Sequence, residues 1–377
     1  DHRVLSNYAI ILKNQGNLIE AKNIIEASIK LNPKSADSFN TLGSILIDQG
    51  EIDLAKESIE KAILLNPNLA EAFNNMALIY QEINQLDNAY ISVLKAINLN
   101  PKFCNAYLNL GQIYKVQDKL EQAKKATLKT IELQNNNGPA HHNLSHILLK
   151  EKQFIEGWAE YEWRWKAKST KFNLGEKLKT NQPEWSPDKR GRVLLWPEQG
   201  LGDQLMFASL IPDFIDYVDQ LIIKIDPRLI PLLKRTLPEN IKYISKEDHI
   251  DESEYDSHIA MGSLPKYLRN SIESFQLAKP LKLKVNQQQS DSLRSKFLDK
   301  KFDKIIGISW KSKKLANINQ CKSLSLEDFI LKLYSPNICF VSLQYGDVKE
   351  EIKQLKQKHN IEIYDIEEID NFYDIDG

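Results

Sequence analysis

The sequence is poor in cysteine, has no excess of either charge and contains no long apolar run, and each lack removes a class of protein. Cysteine occurs three times in 377 residues, at Cys104, Cys321 and Cys339. These form no CxxC pair and are odd in number, so they read as free thiols of a reducing compartment, which predicts a cytoplasmic protein. Fifty basic residues stand against fifty-one acidic ones, a formal charge of −1. A nucleic-acid binder shows a basic excess, so no nucleic-acid partner is expected. No apolar run approaches the length of a membrane span and no signal peptide is visible, although a chain that starts at Asp1 leaves a removed leader open. What is present is a 42% hydrophobic, 27% charged composition, that of a soluble globular protein. At this length two or three domains are expected.

The first 165 residues repeat. Asn-Pro recurs at Asn32-Pro33, Asn66-Pro67 and Asn100-Pro101, both intervals being 34 residues. Phe39, Phe73 and Tyr107 keep the same step, as do Leu42, Met76 and Leu110. Small residues form columns of their own: Gly43, Ala77 and Gly111; Ala21, Ala55, Ala89 and Ala123; Ser28, Ala62 and Ala96. Large residues alternating with small ones suit two antiparallel helices that cross closely, the tetratricopeptide pattern. Proline starts each repeat because it fits a first turn but not a helix interior. The pattern predicts a right-handed, all-α tetratricopeptide superhelix over 1–165. Intact repeats fill 33–134, with a partial one before them and a degenerate one at 135–165.

One column is not explained by packing. Asn7, Thr41, Asn75, Asn109 and Asn143 share a position on the first helix of each repeat. That helix lines the concave face, where stacked carboxamides could bind an extended peptide backbone without reading its side chains. The other reading is a polar stripe that keeps the groove wet. The column resembles the asparagine ladder of O-linked N-acetylglucosamine transferases. In the last repeat His142 and His146 lie one turn apart, but no HExxH glutamate stands between them, and His141 falls in the Phe39 column. No metal site is predicted. Trp158, Trp163 and Trp165 at helical spacing read as a cap of the superhelix docked on the next domain. Residues 166–191, lacking apolar periodicity, read as a surface linker.

From Arg192 the period changes. Apolar strands at 193–196, 221–225, 241–244, 255–261, 305–310, 338–343 and 361–366 alternate with helical segments, including one running from the glycine turn to about Val218. Such alternation implies parallel sheets with helical crossovers, and the break near 285–303 implies two of them. Gln199, Gly200 and Gly202 follow the first strand, where the glycines allow a tight strand-to-helix turn. Leu205 stands where a dinucleotide fingerprint wants Gly or Ala, although Asp226, ending the second strand, occupies the place of a ribose-binding acid. Asp203 sits in the first helical turn at the carboxyl edge of the sheet, where open α/β proteins bind ligands, and also where aspartate caps a helix.

The string Leu194-Leu195-Trp196-Pro197-Glu198-Gln199-Gly200-Leu201-Gly202-Asp203-Gln204, with Phe207 and Pro212, resembles bacterial tetratricopeptide proteins that carry a glycosyltransferase family 9-like domain. The likeness extends to Glu156-Gly157-Trp158, Tyr161-Glu162-Trp163-Arg164-Trp165 and Gln182-Pro183-Glu184-Trp185. Downstream it includes Tyr255-Asp256-Ser257-His258, Ser263-Leu264-Pro265, Gly307-Ile308-Ser309-Trp310, Lys322-Ser323 and Ser342-Leu343-Gln344-Tyr345-Gly346-Asp347. The resemblance implies two Rossmann-like domains of GT-B type, 192–290 on the acceptor side and 304–377 as the start of a nucleotide-sugar-binding domain. It implies a nucleotide-sugar co-substrate, no other cofactor and no essential metal. The catalytic base of related heptosyltransferases maps onto Asp203, and donor contacts onto Lys311, Ser312, Lys313, Gln344 and Tyr345. Lysines near a leaving diphosphate would stabilise its growing charge. Lys311 and Lys322 depart from the common form of the family.

Residues 304–377 supply three strands, where a GT-B second domain continues further. The second domain is therefore expected to be incomplete and this 377-residue chain inactive by itself. The function expected of the whole is sugar transfer to a hydroxyl acceptor by inverting displacement, on a protein recruited by the repeats. The alternative is a peptide-binding scaffold with a degenerate transferase domain.

Overall fold

A computed structural model gives the structure of residues 1–167, 176–298, 302–311, 323–344 and 346–366, the side chains of 297 and 298 excepted. The 34-residue step of the sequence is carried by the helices themselves. First helices are α1 (His2–Asn14), α3 (Ala36–Gln49), α5 (Ala70–Glu82), α7 (Cys104–Val116) and α9 (Gly138–Lys150). Second helices are α2 (Leu18–Leu31), α4 (Ile52–Leu65), α6 (Leu86–Leu99), α8 (Leu120–Leu133) and α10 (Phe154–Tyr161). Both series start 34 residues apart throughout (36 − 2, 70 − 36; 52 − 18, 86 − 52). The first and last repeats, read from sequence as partial and degenerate, therefore keep full register as helix pairs.

The small columns explain the tightness of each pair. A Cβ at Gly43 would fall 2.4 Å from Ile59 Cδ1, and one at Gly111 would fall 2.8 Å from the Thr127 hydroxyl. Ala21, Ala55, Ala89 and Ala123 are fully buried. The residue between the helices of each pair is left-handed in all five repeats: Gly16 and Gly50, then Asn84, Asp118 and Lys152. The conformation thus outlasts the glycine that most easily adopts it. Each first helix also packs on the first helix of the next repeat, while second helices meet their like more sparsely, so the coil curves toward its first helices.

The fifth repeat ends in a helical turn of 3-10 type, Glu162–Lys166. His141 is buried there, stacked on Trp163 at 3.8 Å, with one ring nitrogen 2.6 Å from Glu160 and the other 2.9 Å from the Asn135 carbonyl. It fills the core, as its column implies. Residues 269–276 belong to this same compact unit: the Trp158 indole donates to the Arg269 carbonyl at 2.7 Å, and Phe154 packs on Phe275.

The second unit, 179–268 with 277–377, holds two parallel sheets. The first contains β1 (Arg192–Trp196), β2 (Gln220–Ile225), β3 (Lys242–Ser245) and β4 (Ser257–Ala260), in the order β3-β2-β1-β4. Its helices are α11 (Leu201–Ala208), α12 (Ile211–Phe214) and α13 (Ile230–Thr236). The sequence suggests one helix from the glycine turn to Val218; the chain breaks at Ser209 and Leu210, ahead of Pro212, which cannot continue a helix interior. Val193, Leu194, Leu195 and Trp196 are all buried, as a strand covered on both faces requires. The expected linker is in part core. Trp185 is 2% exposed among Phe214, Tyr217 and Tyr267, and its backbone N–H donates to the His258 carbonyl. The apolar area of that indole outweighs the polar composition around it. The compact units divide after Leu178.

Short helices α14 (Pro265–Leu268), α15 (Ile272–Gln276) and α16 (Gln287–Leu298) follow, the second of them in the first unit. The second sheet pairs β5 (Lys304–Ile308), β6 (Ile338–Ser342) and β7 (Ile363–Tyr364) in sequence order, with α17 (Leu326–Leu333) and α18 (Lys349–His359) as crossovers.

Candidate functional site

The order β3-β2-β1-β4 makes the gap between the carboxyl ends of β1 and β4 a topological switch point, because connections leave the two strands in opposite directions. Both loops there are tied by side chains. Glu198, just after β1, accepts the backbone N–H of Gly262, just after β4, at 3.0 Å. A Cβ at Gly262 would fall 2.2 Å from that carboxylate oxygen, so the tie needs glycine. The buried Gln204 of α11 donates to the Gln199 carbonyl (3.0 Å) and accepts the Asp226 N–H (2.9 Å), fixing the turn against β2. The Trp196 indole donates to Nδ1 of the buried His258 at 3.1 Å, which places the ring's proton on the other nitrogen.

Within this frame Asp203 is half-buried in the first turn of α11. Gly200 is the N-cap, and no side chain caps the helix. Among the described residues the Asp203 carboxylate has no hydrogen bond or ion pair, so capping does not occupy it. Gly200 has an ordinary φ of −65° and Gly202 is helical, so the turn they allow does not rest on a left-handed backbone. A Cβ at Gly202 would meet nothing within 4 Å, and one at Gly200 only Asp203 Oδ2 at 3.6 Å. The space beside both glycines is open.

Asp226 is not a ribose-type acid. It is 2% exposed, and its carboxylate is consumed by Arg228 (2.7 and 2.8 Å) and Lys246 (2.7 Å). The Arg228 hydrogen bond, with that of Lys246, holds its carboxyl well below the usual range despite the opposing effect of burial.

At the carboxyl edge of the second sheet the structure joins two of the expected donor residues. Gln344 Oε1 accepts from Ser309 Oγ (3.1 Å), Trp310 N (3.0 Å) and Lys311 N (2.9 Å), while its Nε2 donates to the Lys311 carbonyl (2.9 Å). The buried carboxamide therefore straps the loop after β5 to the end of β6. Lys311 Nζ is ion-paired with Glu351, which also accepts the Trp310 indole N–H at 2.8 Å. Ser312, Lys313 and Tyr345 lie outside the described residues.

In the repeats the carboxamides bond to one another. Asn75 Nδ2 donates to Asn40 Oδ1 (2.8 Å) and Asn109 Nδ2 to Asn74 Oδ1 (2.7 Å), each 35 residues back and one first helix away. These donors are spent between repeats, which the column alone does not reveal. Among the described residues each pair leaves an acceptor on Asn75 or Asn109 and a donor on Asn40 or Asn74 without a partner. Asn7 is exposed and Thr41 buried. Asn143 is buried, and its Oδ1 accepts from Lys115 Nζ at 3.0 Å. His142 and His146 pack edge-on beside it, with Tyr161 against both rings. His146 is exposed and His142 half-buried. Among the described residues no three His, Cys, Asp or Glu side chains gather as a metal site would need, and no helix is long and apolar enough to cross a membrane.

Residues 2–35, 36–69 and 70–103 match the tetratricopeptide repeat family, and 93–125 match a second tetratricopeptide repeat family, so the helix pairs are tetratricopeptide repeats. Protein FlbA of Caulobacter vibrioides is 31% identical over 255 residues, 61% of this chain and 41% of that protein. The chain therefore spans less than half of the relative's length, and the likeness runs past the repeats, since 1–178 hold under half of this chain. Among solved structures, pilF of Pseudomonas aeruginosa is 23% identical with a TM-score of 0.40, covering 45% of this chain and 77% of that one. A thermophilic tetratricopeptide protein of Thermus thermophilus is 17% identical with a TM-score of 0.41, covering 44% and 90%.

Proposed function

We propose that the repeats and the α/β unit serve sugar transfer from a nucleotide-sugar donor to a hydroxyl acceptor, presented by a protein held along the repeats, in a full-length protein of which the 377 residues alone are expected to be inactive. The observation that carries this reading is the Asp203 carboxylate at the β1/β4 switch point, unengaged among the described residues, with open space at the neighbouring Gly202. A carboxylate there can take the proton of an acceptor hydroxyl as its oxygen attacks the anomeric carbon and the bond to the diphosphate breaks. Attack from the face opposite the leaving group inverts the anomeric centre, and the step uses no metal. Backbone N–H groups and the lysines after β5 would meet the charge on the departing diphosphate. Lys311, held by Glu351, has to exchange that partner to take part.

The peptide-scaffold reading is favoured by a separate observation, the alternating free donors and acceptors of the Asn40–Asn75 and Asn74–Asn109 pairs, which match the alternation of an extended backbone. The two readings are compatible, since a bound peptide can be the acceptor.

Asp203→Asn tests the transferase. Size is retained and no native bond is lost, so thermal stability should be unchanged. Turnover of UDP-, GDP- or ADP-sugars by the full-length protein in the presence of acceptor protein should fall by roughly two to four orders of magnitude. Near-normal turnover of the variant would remove Asp203 from the chemistry.

A further inference from the structure

At the carboxyl edge of the second sheet, one lysine is held by two separate means. Gln344 accepts the Lys311 backbone N–H and donates to its carbonyl, both at 2.9 Å, so the main chain after β5 is fixed from both sides. The ammonium is held independently of this. Its ion-pair partner is Glu351, in the first turn of α18, and among the described residues it has no other. The Lys311 side chain is 30% exposed and that of Glu351 42%. An ion pair in contact with water holds its cation weakly and exchanges readily.

Glu351 does not depend on that lysine to stay in place. Lys311 takes its Oε1, while its Oε2 accepts the indole N–H of the buried Trp310 at 2.8 Å. It also stands where the helix macrodipole favours a negative charge. Burial acts to raise its pKa, but the hydrogen bonds from Lys311 and Trp310 outweigh it, and the net effect is a lowering. When Lys311 leaves, the carboxylate keeps the indole bond and is not orphaned. The ammonium, for its part, is a point charge on a flexible stem and can swing while its backbone stays strapped.

We infer that Glu351 is a built-in competitor of the nucleotide sugar: it occupies Lys311 while the donor site is empty and thereby sets the affinity for donor. A diphosphate carries more negative charge than one carboxylate, so it takes the ammonium over, and Glu351 stays with Trp310. As the nucleoside diphosphate product departs, Glu351 takes the cation back, which favours release. No covalent bond is made or broken in the exchange. The inference rests on the transferase reading, and it adds a residue that tunes donor affinity through Lys311.

The test is calorimetry of the full-length protein with UDP, GDP and ADP, each without its sugar. One of them should bind, and Glu351→Gln should bind it about fivefold more tightly, the upper scale of an exposed ion pair. The glutamine still offers Trp310 an acceptor, so the melting temperature should hold. Lys311→Gln should weaken binding, and in that background Glu351→Gln should have no further effect. If Glu351 only supported the loop, its replacement would instead weaken binding. Equal or weaker binding by Glu351→Gln, undiminished binding by Lys311→Gln, or tightening that persists without Lys311 overturns the competition and leaves the transferase reading standing. Binding of none of the three nucleotides, by the native protein or by Glu351→Gln, overturns both.

Discussion

In the repeats, a Cβ placed on Gly43 would fall 2.4 Å from Ile59; in the α/β unit, one placed on Gly202 would meet nothing within 4 Å. The same residue type serves packing in one region and absence of packing in the other. In the repeats a column speaks for itself, because each position recurs in the same surroundings. Ile45, Ile79, Ile113 and Ile147 are at most 1% exposed, while Ile11, in the same column of the first repeat, is 52% exposed. In the α/β unit no position recurs. Glu198, Gln204 and Gln344 each strap a different loop, and each role depends on which strand lies beside which.

Gly43→Val sets the two regions apart most strongly. The added methyls have no room between α3 and α4, so denaturant unfolding should show a loss of about 1–3 kcal/mol. An unchanged midpoint would mean that the helix pair is looser than its geometry. Gln344→Leu probes a strap that does not repeat. It leaves the backbone donors of Trp310 and Lys311 unmet and should cost about 1–3 kcal/mol, with the loss confined to hydrogen exchange around β5 and β6. Exchange that rises equally in the repeats would contradict the separation of the two regions.

A smaller effect is expected from pH. His142 and His146 are held neutral, with pKa values near 4 against an ordinary 6.5. Between those values the unfolded chain binds protons that the folded one refuses, so stability falls as pH drops from about 6.5 to 4. The melting temperature of the repeats should decline over that window by a few degrees, roughly what 1 kcal/mol does to a unit of this size. The double variant His142→Gln/His146→Gln should flatten the decline, and an unaltered slope would assign it to other groups. The smallest effect concerns Gly202→Ala, which should leave stability the same or raise it by about 0.5 kcal/mol, since Ala favours the helix. If that open space serves the reaction, turnover by the full-length protein should nevertheless fall; an unchanged rate would make Gly202 incidental.

Much of the fold was readable in the sequence because short-range periodicity is enough to define it. A 34-residue step with small residues at fixed offsets admits few structures other than stacked helix pairs. Alternation of short apolar runs with helical ones places β1, β2, β5 and β6 to within a few residues. The burial of Trp185 was not readable, because a single tryptophan in a polar stretch has no period. Nor was the fate of Asp226, whose carboxylate meets Lys246 from beyond the next strand. Nor was the pairing of Asn75 with Asn40 and of Asn109 with Asn74, whose 35-residue step emerges only from the stacked helices.

By itself the sequence determined which elements form and in what order, since helix and strand follow from neighbours along the chain. Tertiary structure alone decided which polar groups are spent and which are left. The amide donors of Asn75 and Asn109 are consumed by neighbouring repeats and Gln344 by its own sheet, whereas, among the described residues, Asp203 and the Asn143 amide keep unused hydrogen-bonding capacity. The reason is that a hydrogen bond is satisfied by whatever lies within about 3 Å, and that neighbour is set by strand order and helix stacking across tens of residues.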